Sequence, residues 1–239
     1  MSNFQYYRPN RFPPVVKNLL IINALVYVAQ MTLQQSSPNF MENLFALHDV
    51  RSGFFYPHQI FTYMFLHGNF THILFNMLAV WMFGSMLENH WGAKKFLQFY
   101  VICGIGAGLL HLLVLYIEMK PAWDYISMFP ASEREKILHV NNILIQDKAI
   151  NIATVGASGA VFGCLAAFGY LFPNSLIYVY FMIPVKAKWL VIMYGAVELW
   201  LAVRNSPGDT VAHFAHLGGA ITGLIIVFIW NKTNRKTFY

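Results

Sequence analysis

Charge is what this chain has least of. Of its 239 residues, 11% are charged and 57% are hydrophobic, with a mean hydropathy of +0.49. Soluble domains average roughly 25% charged residues, so the polar surface that keeps a domain in water is missing. Cysteine is scarce too: Cys103 and Cys164 both fall inside predicted helices, which excludes a disulfide framework. No His-Glu-x-x-His pattern occurs, and the acid nearest the paired histidines of the second apolar run is Glu88, several turns away. Neither a metal nor a cofactor is therefore expected. Two aspartates within apolar runs, as aspartyl chemistry in lipid would need, are lacking as well. The first apolar run has no small-residue cleavage site clearly following it, and it is read as a retained helix rather than a signal peptide. Repeats and low-complexity segments are not apparent.

What the chain does have is apolar length. A spanning helix needs about 20 mostly apolar residues, and six runs qualify or come close: Val15–Leu33, Thr71–Leu87, Phe96–Ile117, Val155–Phe172, Trp189–Val203 and Val211–Trp230. The expected architecture is an all-α membrane protein, a six-transmembrane-helix bundle forming one polytopic domain over residues 15–230. Residues 1–14 precede it as a cytoplasmic segment, 231–239 follow as a basic cytoplasmic tail, and a polar outer insert occupies about 118–154.

The net charge of +6 raises the question of nucleic acid, and its distribution answers it. With six spans both termini share one side, which carries Arg8, Arg11, Lys17, Lys94, Lys95, Lys186, Lys188, Lys232, Arg235 and Lys236. The other side carries Arg51, Lys120, Arg134, Lys136, Lys148 and Arg204. Positive charge gathers on the cytoplasmic side, so both termini are expected there, in a bacterial-type plasma membrane. The basic balance thus reports orientation and contact with the lipid bilayer, not nucleic acid. Between the spans, Gln34 to Ile60 is amphipathic enough to lie in the interface. Ser132-Glu133-Arg134-Glu135 reads as a capped helix start within a water-facing or interfacial helical insert. Pro173 ends the fourth helix, and Arg204 to Asp209 is a tight outer turn.

Two polar side chains inside these runs stand out. Ser158 lies in Gly156-Ala157-Ser158-Gly159 at the start of the fourth run, and His216 lies in the sixth. An ionisable residue in a membrane span usually faces a bundle interior or wet cavity and has a function. His216, Gly219, Ala220 and Gly223 share one helical face, and small residues let helix backbones approach closely in lipid. Packing the fourth helix there brings Ser158 within reach of the imidazole, which can take the serine proton and create a nucleophile. Free N–H groups at a helix start suit a developing oxyanion, and Gly156 and Gly159 leave room for a carbonyl. The plain alternative for Ser158 is a packing motif with an incidental serine.

His67, His72 and Asn76 form a second group. His72 and Asn76 are four apart and share a face, whereas His67 sits in the turn leading in and folds back. These side chains are donors suited to an oxyanion, or equally to structural polar packing. His213, one turn from His216 and off the glycine face, reads as an interfacial histidine. Without a suitably placed Asp, and with Glu198 free to pair with some polar group, a Ser–His dyad is expected. A proton-coupled transporter with a histidine relay would use the histidines but not the glycine-flanked serine, and it predicts repeat symmetry.

These pieces, in this order, resemble the rhomboid family of intramembrane serine proteases. The resemblance rests on His67, His72 and Asn76, on Gly156-Ala157-Ser158-Gly159, and on Ala215-His216-Leu217-Gly218-Gly219-Ala220-Ile221-Thr222-Gly223, and covers about residues 15–230. It implies Ser158 as nucleophile and His216 as base. It also implies that His67, Asn76 and the Ser158 amide line the oxyanion site, with His72 in support. The partners implied are transmembrane-helix protein substrates, cut near the outer membrane face. An inactive relative that binds membrane clients is the rival within the family. The chain departs from the family pattern at His58-Gln59, where Trp-Arg is frequent, and at Phe162, where many members have a tyrosine over the catalytic histidine. Its connection from Glu118 to Thr154 is also longer than in minimal members.

Overall fold

A computed structural model describes residues 9–140, 143–145, 148–179, 182–204 and 212–234. Arg8, Asp147, the tail residues Arg235 and Lys236, and the outer turn read beyond Arg204 lie outside the described residues.

Proline opens the first helix. Pro13 is extended and Pro14 occupies the first helical position of α1 (Pro14–Ser36), where its missing N–H is no loss. The next orphan donors, the amides of Val15 and Val16, are taken by the carboxylate of Glu88 at 2.9 and 2.8 Å. Glu88 is buried, so an acid distant in sequence caps this helix and complements its dipole. The chain then passes through α2 (Phe40–Phe45), α3 (Gln59–Thr62) and a 3₁₀ turn, Tyr63–Phe65. Ala46, Leu47 and His48 are fully buried, and Leu47 pairs with Thr154 in an antiparallel bridge. The segment expected to lie in the interface therefore packs partly into the protein, drawn in by its apolar side chains.

The second long helix runs from Phe70 to Trp91 as α4 (Phe70–Ala79), a π turn at Val80–Gly84 and α5 (Ser85–Trp91). Next come α6 (Ala93–Glu118) and the insert, which holds α7 (Lys120–Ile126) and α8 (Ala131–Leu138). The insert is not purely helical: β1 (Ile143–Ile145) and β2 (Lys148–Ile150) form an antiparallel hairpin. Ala122, Trp123, Ile126, Ile145 and Ile150 make a small separate core beneath it. Ser132 does not cap α8. Pro130, at φ −56° and ψ 149°, holds the N-cap position, so the helix has already begun at Ala131.

The C-terminal part of the sequence supplies α9 (Ser158–Leu171), a second hairpin of β3 (Leu176–Val179) and β4 (Ile183–Lys186), α10 (Ala187–Arg204) and α11 (His213–Asn234). The hairpin following α9 escaped the sequence reading, because Pro173 marked the end of the helix and nothing more. Among the described residues, each of the six apolar runs contains a helix. Among the described residues, four helices are long and apolar enough to cross a membrane: Pro14–Ser36, Phe70–Trp91, Ala93–Glu118 and His213–Lys232. Helix α9 has 14 residues; at 1.5 Å per residue this is about 21 Å, against a hydrocarbon core of about 30 Å. Short helices of this kind can begin below the membrane surface only when protein surrounds them, and α9 buries ten of its residues.

The core gathers where α6, α9 and α11 meet, around Leu47, Tyr63, Phe96, Phe99, Tyr100, Cys103 and Cys164. Outward faces carry Leu25, Phe75, Leu113, Trp200 and Phe228, all more than half exposed or close to it. That apolar exterior suits lipid, not water.

Candidate active site

Three contacts hold the approach to Ser158. Thr154 pairs with Leu47, its hydroxyl lies 2.8 Å from His111 Nε2, and the amide of Gly156 donates to the Tyr63 carbonyl at 2.9 Å. The Tyr63 hydroxyl in turn donates to the Gly104 carbonyl on α6 at 2.7 Å. Gly156 has φ +126°, a conformation that L side chains rarely adopt, and a Cβ there would also strike the His72 ring at 2.7 Å. Because of this kink, the helix starts at Ser158 and not at Val155, where the apolar run begins. The amides of its first turn lack partners four residues back.

Helices α9 and α11 meet backbone to backbone. A Cβ on Gly219 would overlap the carbonyl oxygen of Gly159, and one on Gly223 would come within 2.7 Å of the Gly163 carbonyl oxygen. This contact puts Ser158 Oγ 2.8 Å from His216 Nε2. The Phe162 ring, one turn along α9, stacks on the His216 imidazole at 4.4 Å and 6°, so face-to-face packing is kept without a tyrosine hydroxyl. Ser158 and His216 are both partly exposed, while Gly156, Gly219 and the neighbouring alanines are buried.

The turn before α4 brings in the second group. Asn69 caps α4, its side chain accepting from the His72 amide at 2.8 Å. His67 lies in that turn, folded against His72 with the rings 5.1 Å apart, and Gln30 of α1 holds its backbone amide at 3.0 Å. Burial, with the His72 imidazole beside it, pushes the His67 imidazole down to about 4, so it is neutral at physiological pH. His72 packs on Gly156, and Asn76 Nδ2 lies near the same glycine. Among the described residues, Asn76 Nδ2 and both ring nitrogens of His67 are buried without an aligned hydrogen-bond partner. Unpaired buried polar groups are uncommon and call for an explanation; Asn76 Nδ2 lies beside Gly156, two residues before α9 begins.

His213 is not interfacial. It is buried, and its Nδ1 lies 2.6 Å from Glu198 Oε2 on α10. The same carboxylate oxygen lies 3.0 Å from His216 Nδ1, but off the ring N–H direction, so that His216 Nδ1 has no aligned hydrogen bond. Among the described residues, Glu198, His213 and His216 form a group whose ligand-type atoms lie within 4.8 Å of one another, already joined as a carboxylate between two imidazoles. Sequence reasoning noted Glu198 without finding its partners. A single buried acid in an apolar helix was the available signal, and the helix spacing gave no way to choose the histidine it met.

A Rhomboid domain model matches residues 55–233, and the chain belongs to the rhomboid family. It is 28% identical over 227 residues to RHOMBOID-like protein 12, mitochondrial, of Arabidopsis thaliana, covering 94% of this chain and 60% of that one. Rhomboid protein 1, mitochondrial, of Saccharomyces cerevisiae is 30% identical over 172 residues, covering 72% of this chain and 41% of that protein. Rhomboid protease AarA of Providencia stuartii is 28% identical over 225 residues, covering 87% and 69%. The chain thus spans 60% and 41% of the lengths of the Arabidopsis and yeast relatives. Family and apolar helices together make this an integral membrane protein of the all-α, rhomboid-like class.

Proposed function

We propose that the chain is an intramembrane serine endopeptidase that cuts transmembrane proteins near the outer membrane face, with Ser158 as nucleophile and His216 as general base. The observation that carries this reading is the 2.8 Å contact between Ser158 Oγ and His216 Nε2, made across two helices locked at glycine. His216 takes the serine proton as Oγ attacks the scissile carbonyl. The oxyanion that forms meets the Ser158 amide, the Asn76 amide and neutral His67, donors that are in place before the reaction. His216 then gives its proton to the leaving amine, and water hydrolyses the acyl-enzyme by the same steps in reverse. The similar bacterial protein is named a rhomboid protease, which supports peptide-bond hydrolysis.

Transmembrane helices are the proposed substrates, because Ser158 and His216 lie on apolar helices of an integral membrane protein. An intact helix hides its carbonyls in hydrogen bonds, so substrates that unwind at Gly or Pro near their outer ends are cut fastest, with Ala, Gly or Ser before the scissile bond. The distribution of Lys and Arg supports both termini in the cytoplasm or its equivalent. The matched relatives include proteins named mitochondrial and one from Providencia stuartii, and the Lys and Arg pattern bears on orientation, not on which membrane holds the chain.

The test is fluorophosphonate labelling of the detergent-solubilised protein together with cleavage of a transmembrane reporter. Wild type is labelled and cuts; Ser158→Ala does neither while expressing normally, and His216→Ala falls to near background. Residual cleavage by Ser158→Ala would overturn the assignment, and an unlabelled, inactive wild type would favour an inactive client-binding relative.

A further inference from the structure

We propose that Glu198 is a positioning residue for His216, making the expected serine–histidine pair a three-membered arrangement fed from α10. This rests on the reading of Ser158 and His216 given above. Helix α10 buries Ala187, Leu190, Glu198 and Ala202, and Glu198 is the one acid in its 18 residues. A buried carboxylate at this depth is expensive, and an apolar side chain would pack the same face without it. The carboxylate instead points at the histidines of α11, at 2.6 Å from His213 Nδ1 and 3.0 Å from His216 Nδ1.

The two ring nitrogens of His216 therefore face different groups: Nδ1 the carboxylate, Nε2 the serine hydroxyl at 2.8 Å. An ionised carboxylate only accepts hydrogen bonds. The nitrogen beside it carries the proton, which leaves the Nε2 lone pair toward Ser158, the tautomer that a general base needs. The off-axis approach makes this contact electrostatic more than a directed hydrogen bond. Its strength grows when His216 takes the serine proton and becomes a cation, so it favours the transition state over the ground state. The proton stays on His216 until the leaving amine receives it, and Glu198 remains ionised throughout. The Glu198 carboxylate faces both imidazoles of α11. His213 anchors the carboxylate from the preceding turn of α11.

The experiment compares Glu198→Gln and Glu198→Asp with wild type in the full chain, measuring kcat, KM, fluorophosphonate labelling and the thermal midpoint in detergent. Removing the acid that orients a catalytic imidazole lowers kcat by on the order of 10²–10⁴-fold. Glu198→Gln is expected to fall within that range with KM changed by less than about threefold and the midpoint retained. Glu198→Asp is expected to recover at least about tenfold of the loss, since charge and not shape is the active property. A Gln variant with kcat near wild type overturns the proposal. Gln and Asp variants equally impaired, with lowered midpoints, overturn it too, by assigning Glu198 to packing. Should Ser158→Ala still cleave, the underlying reading fails; Ser158→Ala dead beside an active Glu198→Gln removes Glu198 alone.

Discussion

Helix α9 buries ten of its 14 residues and α10 buries four of its 18, although both pack on α11. The first contact is made by backbone: Gly159 and Gly163 lie against Gly219 and Gly223 with no space for a methyl group between them. The second is made mainly by side chains, and its buried polar element is Glu198 reaching His213 and His216. Elsewhere α10 turns Trp189, Ile192, Trp200 and Val203 outward. One neighbour of α11 thus determines distance, and the other supplies charge. A backbone contact has no rotamers to adjust, so the separation of Ser158 and His216 is set by the chain itself. A carboxylate on a flexible side chain tolerates small shifts of the helix that carries it.

The largest effect should come from breaking the rigid contact. Gly219→Val would drive its side chain into the Gly159 carbonyl and separate the helices. Overpacking of this kind costs about 3 kcal/mol where the backbone must move. Reporter cleavage should drop to background and the unfolding midpoint should fall. A variant that stays folded and active would show that α9 and α11 are not held by their glycines.

Next in size is Asn76, whose buried Nδ2 has no partner among the described residues and lies beside Gly156, shortly before α9. Loss of one oxyanion donor lowers kcat about 10²–10³-fold. Asn76→Ala should therefore reduce kcat far more than it raises KM in single-reporter kinetics. An unchanged kcat would assign Asn76 to structure.

A smaller effect is expected at His213, on the adjustable side of the comparison. His213→Gln frees the Glu198 oxygen that it now holds at 2.6 Å, and the carboxylate can then turn toward His216. The loss in kcat should stay below about tenfold. Inactivity comparable to His216→Ala would mean that His213, not His216, works with the serine.

How far the sequence reveals these differences depends on whether the interaction is periodic. The face shared by His216, Gly219 and Gly223 follows from helix spacing, and so do the six helices and the turn that carries His67. Contacts between distant elements without such a pattern were not legible. Glu88 caps a helix more than 70 residues away, Leu47 leaves a loop expected in the interface to pair with Thr154, and Glu198 of α10 meets two histidines of α11. The insert hairpin was hidden for a related reason: its strands are three residues each, too short for an alternating pattern. Pro130 likewise took the cap position from Ser132 because φ restriction outweighed a side-chain signal.

The smallest effect sharpens the comparison from the α10 side. Gly195 lies in the middle of α10, and a Cβ there would meet nothing within 4 Å. Glycine at such a position lowers helix stability by roughly 0.5–1 kcal/mol relative to alanine, because the unfolded backbone has more freedom to lose. If α10 touches the bundle only through its few buried side chains, Gly195→Ala should raise the unfolding midpoint slightly and leave kcat and KM unchanged. The same substitution at Gly219 meets the Gly159 backbone and should impair both stability and cleavage. Opposite signs for one chemical change on two neighbouring helices are the expected result, read by thermal unfolding and reporter cleavage side by side. Loss of activity in Gly195→Ala would show that α10 must bend at this glycine, and that its distance from His216 is as tightly determined as that of α9.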